Sequence, residues 1–233
     1  MASKILTIET STKSCSTCLA KDGKPWIVRE TKSQSGHAEK ITLFIQEIMD
    51  TAGISLEEVD AIAVSKGPGS YTGLRIGVST VKGLCYALNK PMLAVDTLQA
   101  LAWGASTYET GNKIAYVALM DARRMDAYVG IYNHQMEVIK APYFATLAED
   151  SFDFLLEDEA IEEVVLVGDA TEKYQPLLTN EKIRISKVEL PSAKYMAGLA
   201  QQALDNNAFE DVAYFEPFYL KKPNITKPKP KFS

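Results

Sequence analysis

Histidine and cysteine are scarce in this chain, and they form no recognisable ligand set. The 233 residues include two histidines, His37 and His134, and three cysteines, Cys15, Cys18 and Cys85. An odd number of cysteines argues against a disulfide framework. Cys15 and Cys18 have C-x-x-C spacing, but they fall in a strand-like run, whereas redox pairs lie at a helix N-terminus that lowers the thiol pKa. The sequence therefore predicts no metal centre and no redox chemistry.

Long apolar runs are also missing. No stretch approaches the roughly 20 apolar residues that a transmembrane helix needs. The apolar residues 5–8 near the start are too few for a signal peptide and lack a following cleavage site. We therefore expect a cytoplasmic protein with no membrane partner. Hydrophobic residues make up 46% of the chain and charged residues 24%, which is ordinary for a globular protein with a core.

Positive charge is in short supply. Lysine and arginine number 25 against 30 aspartates and glutamates, which leaves a net charge of -5. An acidic chain does not find RNA by general attraction to phosphates, because that attraction needs clustered basic residues. The exception is residues 221–231, which are basic and rich in proline. We expect this tail to be extended and solvated rather than a docking segment.

The order of the predicted elements indicates the fold class. Three short strands in the first thirty residues precede a helix from His37 to Ala52, which Gly53 ends. Parallel strand–helix units follow, and a second β-rich start begins near residue 113. A meander that leads into such units is the arrangement of the actin/hexokinase/Hsp70-like ATPase fold, an α/β fold of two subdomains.

We place the joint between the subdomains near residues 103–112. The resulting division has an N-terminal α/β subdomain, a C-terminal α/β subdomain, and a final segment that carries the basic tail. Their bounds are 1–105, 106–211 and 212–233.

A glycine-rich block between a buried strand and a helix carries the clearest signal. Such a loop exposes backbone N–H groups at the positive end of a helix, which suits an anion or phosphate. Its spacing matches neither the Walker A loop nor the Rossmann loop. Glycines also permit tight turns and close packing, so a ligand site and a plain turn are both open. The candidate residues are Gly67, Gly69, Ser70, Thr72, Gly73 and Arg75.

The helix after this block has apolar or small residues on two of its sides. Leu74, Val78 and Val81 begin one face, which continues to residue 88. On the other side, small or apolar residues recur from Ile76 to Ala87 at helical spacing. A helix with two such faces is buried on both. The second face is predicted to meet another helix, either the one at His37 or one from a partner chain.

Four segments together resemble the TsaB family: residues 4–12, 67–77, 82–84 and 121–124. The resemblance implies a degenerate form of the two-subdomain ATPase fold. It also implies a non-catalytic role beside the subunit TsaD, which transfers threonylcarbamoyl to the adenosine next to the anticodon of tRNAs reading codons that begin with A. A P-loop ATPase, TsaE, completes the complex, and tRNA is contacted only indirectly.

The resemblance assigns the partner interface to the two helices described above. It implies no catalytic residues and no metal, because Thr97 and Leu101 stand where the TsaD paralogue has its metal-binding histidines. Glu9 replaces the aspartate that is usual at the turn after the first strand, which argues against independent nucleotide hydrolysis. No cofactor is expected, except a nucleotide at an interface shared with TsaD. The interface residues are His37, Ile41, Ile76, Thr80, Gly83 and Ala87.

Two other functions stay open. The chain is an ATPase or kinase if the glycine block binds phosphate, or a homodimeric interaction protein if the helix faces pair with a second copy. A smaller ambiguity concerns Asp121, Arg123 and Arg124. They either hold a hairpin by salt bridges, which we favour, or present a basic spot to a partner.

Overall fold

The protein is described by a computed structural model that covers residues 2–32 and 36–221. Its first β-sheet has five strands in the order β3-β2-β1-β4-β5. The first three strands form an antiparallel meander, and the last two run parallel to β1. The strands are β1 (Lys4–Glu9), β2 (Cys15–Lys21), β3 (Lys24–Thr31), β4 (Ala61–Gly67) and β5 (Met92–Asp96).

The second sheet repeats this topology. Its order is β10-β9-β6-β7-β8, again an antiparallel meander followed by two strands parallel to the first. The strands are β6 (Ile114–Asp121), β7 (Asp126–Tyr132), β8 (Val138–Thr146), β9 (Glu163–Val167) and β10 (Ile183–Ile185). The repetition confirms the α/β fold of two subdomains that the order of elements predicts.

Helices cover both faces of the first sheet. On one face, α1 and α2 enclose a core with alternate residues of the strands, while α3 and α5 pack against the other face. The α3 helix also packs against the second sheet and so lies between the two sheets. The helices are α1 (His37–Ala52), α2 (Tyr71–Leu88), α3 (Thr97–Ser106), α4 (Thr171–Tyr174) and α5 (Ala197–Asp205).

The α1 helix has the predicted bounds, and local chemistry explains both its position and its end. Ile41, Ile45 and Ile48 recur at helical spacing and are buried against the sheet. Gly53 adopts a left-handed conformation and donates its N–H to the carbonyl of Met49, which satisfies a backbone group that the helix leaves open. In the described part of the chain, no helix combines the length and hydrophobicity that crossing a membrane requires.

Two strands and one packing relation were not foreseen. The β8 strand contains Pro142 and lies at the edge of its sheet, where proline is tolerated, and β10 has only three residues. Neither shows a clear alternation in sequence. The α5 helix, assigned from sequence to the 106–211 subdomain, packs instead against β1 and β5 of the first sheet.

Candidate functional site

The glycine block leads from β4 into α2. Ser70 begins the helix, and its side-chain oxygen accepts a hydrogen bond from the N–H of Gly73 at 3.3 Å. The N–H of Ser70 itself donates to the carbonyl of Ser11 at 2.6 Å. Gly67 donates its N–H to the hydroxyl of Thr97 at 3.2 Å. These backbone groups, which could in principle hold an anion, are therefore engaged by the protein itself.

Three glycines of the block allow it to approach the turn between β1 and β2, which we call the first turn. A Cβ added to Gly69, Gly73 or Gly77 would come closer than 3.0 Å to an atom of Thr10 or Ser11. The Thr10 hydroxyl also donates to the carbonyl of Gly73 at 2.8 Å. The geometry thus fits the packing interpretation of these glycines: they seat the start of α2 on the first turn.

Glu9 ends β1 beneath this contact and is completely buried. Its Oε1 accepts hydrogen bonds from the N–H of Ser11 at 2.6 Å and from the hydroxyl of Ser65 at 3.0 Å. Its Oε2 has no hydrogen-bond partner in the described residues. Burial raises the pKa of the Glu9 carboxyl above its ordinary value, although the hydrogen bonds act in the opposite direction.

Because Glu9 is buried, we predict that its titration makes the stability of the protein depend on pH. Above the ordinary carboxyl pKa of 4.5, the unfolded chain loses a proton that the folded chain still holds. The free energy of unfolding therefore falls as pH rises, until the folded-state pKa is passed. We expect Glu9→Gln to remove this part of the slope in urea denaturation from about pH 5 to about pH 8. Parallel pH profiles for variant and wild type would contradict the assignment.

The C-terminal strap, which we define as residues 211–219, crosses α2 and the glycine block. The ammonium group of Lys82 donates to the carbonyls of Ala213 at 3.0 Å and Phe215 at 3.2 Å. Phe218 donates its N–H to the carbonyl of Lys66 at 2.7 Å. The carbonyl oxygen of Phe218 would stand 2.5 Å from a Cβ on Gly67, so that glycine makes room for the strap.

The strap was not foreseen as a structural element. Lys82 entered the prediction only through the segment 82–84 of the family resemblance, and residues from 212 onward were assigned to a segment with a basic tail. Residues 222–233 of that tail lie outside the described residues. Lys82 is one of the two charged residues of α2, and that charge was the one signal in the sequence.

A shallow groove lies between the strap and α2. Its volume is about 550 Å³. Lys82 directs its ammonium group to strap carbonyls, so the groove has a mostly apolar lining. The lining residues are Lys82, Gly83, Tyr86, Asp211, Val212 and Ala213.

The groove continues into an exposed surface, which we call the helix surface and define as Leu43, Gly83, Tyr86 and Ala87. Gly83 and Ala87 are exposed, and nothing lies within 4 Å of the position of a Cβ on Gly83. Tyr86 is 83% exposed, and Leu43 on α1 is 52% exposed. Each of the two neighbouring helices thus exposes one large apolar side chain, and α2 exposes small residues as well. Neither Leu43 nor Tyr86 was singled out from sequence.

The other residues predicted to face a partner are less accessible. Ile76 and Thr80 are half-buried, and Ile76 packs against the core between the helices and the sheet. His37, at the start of α1, is half-buried as well. The assignment of Ile41 to the partner interface is wrong, because its side chain points into that core and has no exposed surface. Its place in the helical repeat is on the sheet side of α1.

The remaining candidates for chemistry are structural. All three cysteines are free and buried, and burial raises the pKa of Cys15 to about 11 and of Cys85 to about 12, which disfavours the reactive thiolate. Within residues 2–32 and 36–221, no three side chains of histidine, cysteine, aspartate or glutamate converge on a possible metal position. Leu101 lies in the core.

Comparison with known proteins gives the family. The model of the family TsaD: tRNA N6-adenosine threonylcarbamoyltransferase matches residues 28–229. The tRNA threonylcarbamoyladenosine biosynthesis protein TsaB of Escherichia coli (strain K12) is 30% identical over 229 residues, which cover 94% of this chain and 94% of that protein. The corresponding Haemophilus influenzae protein is 29% identical, with 93% of each chain covered.

Solved structures agree with this result. YeaZ from Pseudomonas aeruginosa superposes with a TM-score of 0.81 at 27% identity, and the match covers 94% of this chain and 100% of that one. Three observations thus agree: the two repeated sheets, the glycine block packed on the first turn, and a match over nearly the whole length of the chain. The chain belongs to the TsaB (YeaZ) family, within the wider group that the TsaD family model describes.

Proposed function

We propose that the chain is the non-catalytic partner of TsaD in forming the threonylcarbamoyl group on the tRNA adenosine next to the anticodon. The observation that carries this proposal is the helix surface, where Gly83 and Ala87 are exposed on α2 together with Tyr86, and Leu43 is exposed on α1. Small residues let a partner helix approach closely, and exposed aromatic residues are frequent anchors at interfaces. Family membership supplies the process in which the partner works.

The geometry around the glycine block favours a non-catalytic role for the chain. Backbone N–H groups of Gly67, Ser70 and Gly73 are engaged by the protein, and the glycines are packed against the first turn. The fold family implies a nucleotide, but these residues do not fit the phosphate cradle that it would need there. Any nucleotide would instead be shared with TsaD at the joint interface.

Within the complex, TsaE is the second protein partner and tRNA is the substrate of TsaD. These assignments place the chain in the cytoplasm, where tRNA is modified. Self-association is a competing use of the same helix surface, since one exposed apolar area can serve a second copy as well as a partner. A stand-alone ATPase remains the competing enzymatic function.

The test is threonylcarbamoyl transfer to tRNA by TsaD and TsaE from the same cell, with and without this chain. We expect transfer to depend on the chain, because TsaD lacks its supporting partner otherwise. The chain alone is expected to turn over no ATP. Equal transfer in its absence would reject the proposed function, and ATP turnover by the chain alone would favour the ATPase.

A further inference from the structure

The turn between β6 and β7 has an unusual backbone. Arg123 and Arg124 have φ values of 74° and 53°, in the left-handed region. Side chains with a Cβ adopt this region at an energetic cost, and glycine, asparagine and aspartate are the usual residues there. Among the other described non-glycine residues with positive φ, Asp22, Asn89 and Asn207 are of these tolerant types, and Met136 is a single exception. Two consecutive arginines at such positions need an explanation beyond the turn itself.

The neighbouring carboxylates do not supply that explanation. Asp121 accepts hydrogen bonds from the ammonium group of Lys173 at 2.6 Å and from the backbone N–H of Arg123 at 3.1 Å. Asp126 accepts from the hydroxyl of Thr146 at 2.6 Å. Neither arginine side chain forms an ion pair within the described part of the chain. The interpretation in which Asp121 holds the hairpin through salt bridges to both arginines is therefore wrong.

The turn is firmly anchored although its arginines are exposed. Met125, the next residue, packs against the core of the second sheet, and its carbonyl accepts the N–H of Leu147 at 2.8 Å. The N–H of Asp121 donates to Asp169 at 2.8 Å. Lys13, from the first turn, lies near enough for its charge to favour the ionised form of Asp169 and so oppose the rise in its pKa. The two guanidinium groups are thus presented from a fixed base, with a third cation in the vicinity.

We propose that Arg123 and Arg124 bind phosphates of the tRNA backbone when the chain is part of its complex, a direct contact where the family resemblance implies only an indirect one. This inference rests on the proposed function, which brings a tRNA to the assembly. Guanidinium groups bind phosphate with two parallel hydrogen bonds, and unpaired exposed arginines pay no cost to break an existing ion pair. The chain is acidic overall, with a net charge of -5, so an RNA contact has to be local.

The position of the turn is compatible with simultaneous binding of TsaD. The turn belongs to the second sheet, whereas α1 and α2 cover the face of the first sheet that is turned away from α3. The proposed RNA contact and the proposed protein contact therefore use different elements of the fold.

The test replaces the turn with residues that suit its backbone, Arg123→Asn together with Arg124→Gly. In the complex with TsaD and TsaE, we expect tRNA affinity to fall about tenfold and the slope of log K against log salt to fall by about 1.5. The unfolding midpoint of the same variant is expected to rise by about 2–4 °C, since the strain is removed. A matched control, Lys24→Gln with Lys182→Gln, removes two exposed charges elsewhere. We expect the control to leave tRNA affinity within about twofold.

The order of measurements separates the two proposals. Failure of the wild-type chain to assemble with TsaD would reject the proposed function and this inference with it. An assembled complex whose tRNA affinity is unchanged by the turn variant, or changed equally by the control, would reject the arginine contact alone. A loss of affinity for TsaD with unchanged tRNA affinity would also reject it, and would assign the turn to an acidic protein surface.

Discussion

Replacing Gly83 with arginine is expected to weaken binding to TsaD about 100-fold while the chain stays folded. Gly83 is exposed on α2, and no atom lies within 4 Å of the position of its missing Cβ. The Cβ of an arginine there meets no other atom of the isolated chain, and arginine favours the helix more than glycine does. At an interface, however, its long charged side chain would hold a partner helix away from the small residues around it.

The measurement is calorimetric titration of TsaD with variant and wild-type chain, together with thermal melts of each. Ala160→Arg is the matched control, because Ala160 is an exposed alanine beyond the second sheet's meander. The control is expected to bind TsaD as the wild type does. Unchanged affinity in a folded Gly83→Arg chain would remove the helix surface from the interface. If only self-association were lost, the surface would belong to a homodimer.

Replacing Gly73 with alanine is expected to lower the free energy of unfolding by about 3 kcal/mol. A Cβ at this position would overlap the carbonyl oxygen of Thr10, which is backbone and is also fixed by the contact between the first turn and α2. Either the helix or the turn has to shift, and the hydrogen bond from the Thr10 hydroxyl to the Gly73 carbonyl would be strained. The cost exceeds the gain of about 1 kcal/mol that alanine brings within a helix.

Gly83→Ala is the control for this prediction, since it makes the same change in the same helix. With open space around it, that substitution is expected to raise the free energy of unfolding by about 0.5–1 kcal/mol. Urea denaturation of the two variants would therefore move in opposite directions from the wild type. A Gly73→Ala chain as stable as the wild type would show that the block does not depend on close packing.

The two glycine predictions address the central question about this block. A glycine-rich loop at the start of a helix is compatible with an anion site and with tight packing, and its sequence spacing does not separate them. In the structure, the glycines that precede and begin α2 meet the first turn, and Gly67 meets the strap. The block therefore holds together three segments that lie far apart along the chain.

Local patterns determined much of the fold. The helical repeat of Ile41, Ile45 and Ile48, with Gly53 after it, was sufficient to predict α1 with its observed bounds. Strand β4 was foreseen because a buried parallel strand is a continuous apolar run. These features depend on residues close together in sequence, where periodicity and capping act directly. The motifs that led to the family were readable for the same reason.

Only the tertiary structure decided which residues those elements meet. Lys82 has no evident partner in sequence, but it donates hydrogen bonds to strap carbonyls more than 130 residues away. Asp121 is beside two arginines in sequence, yet its carboxylate is taken by Lys173. Such pairings depend on how the sheets and connections are arranged in space, and a repeat of 3.6 or 2 residues carries no information about them.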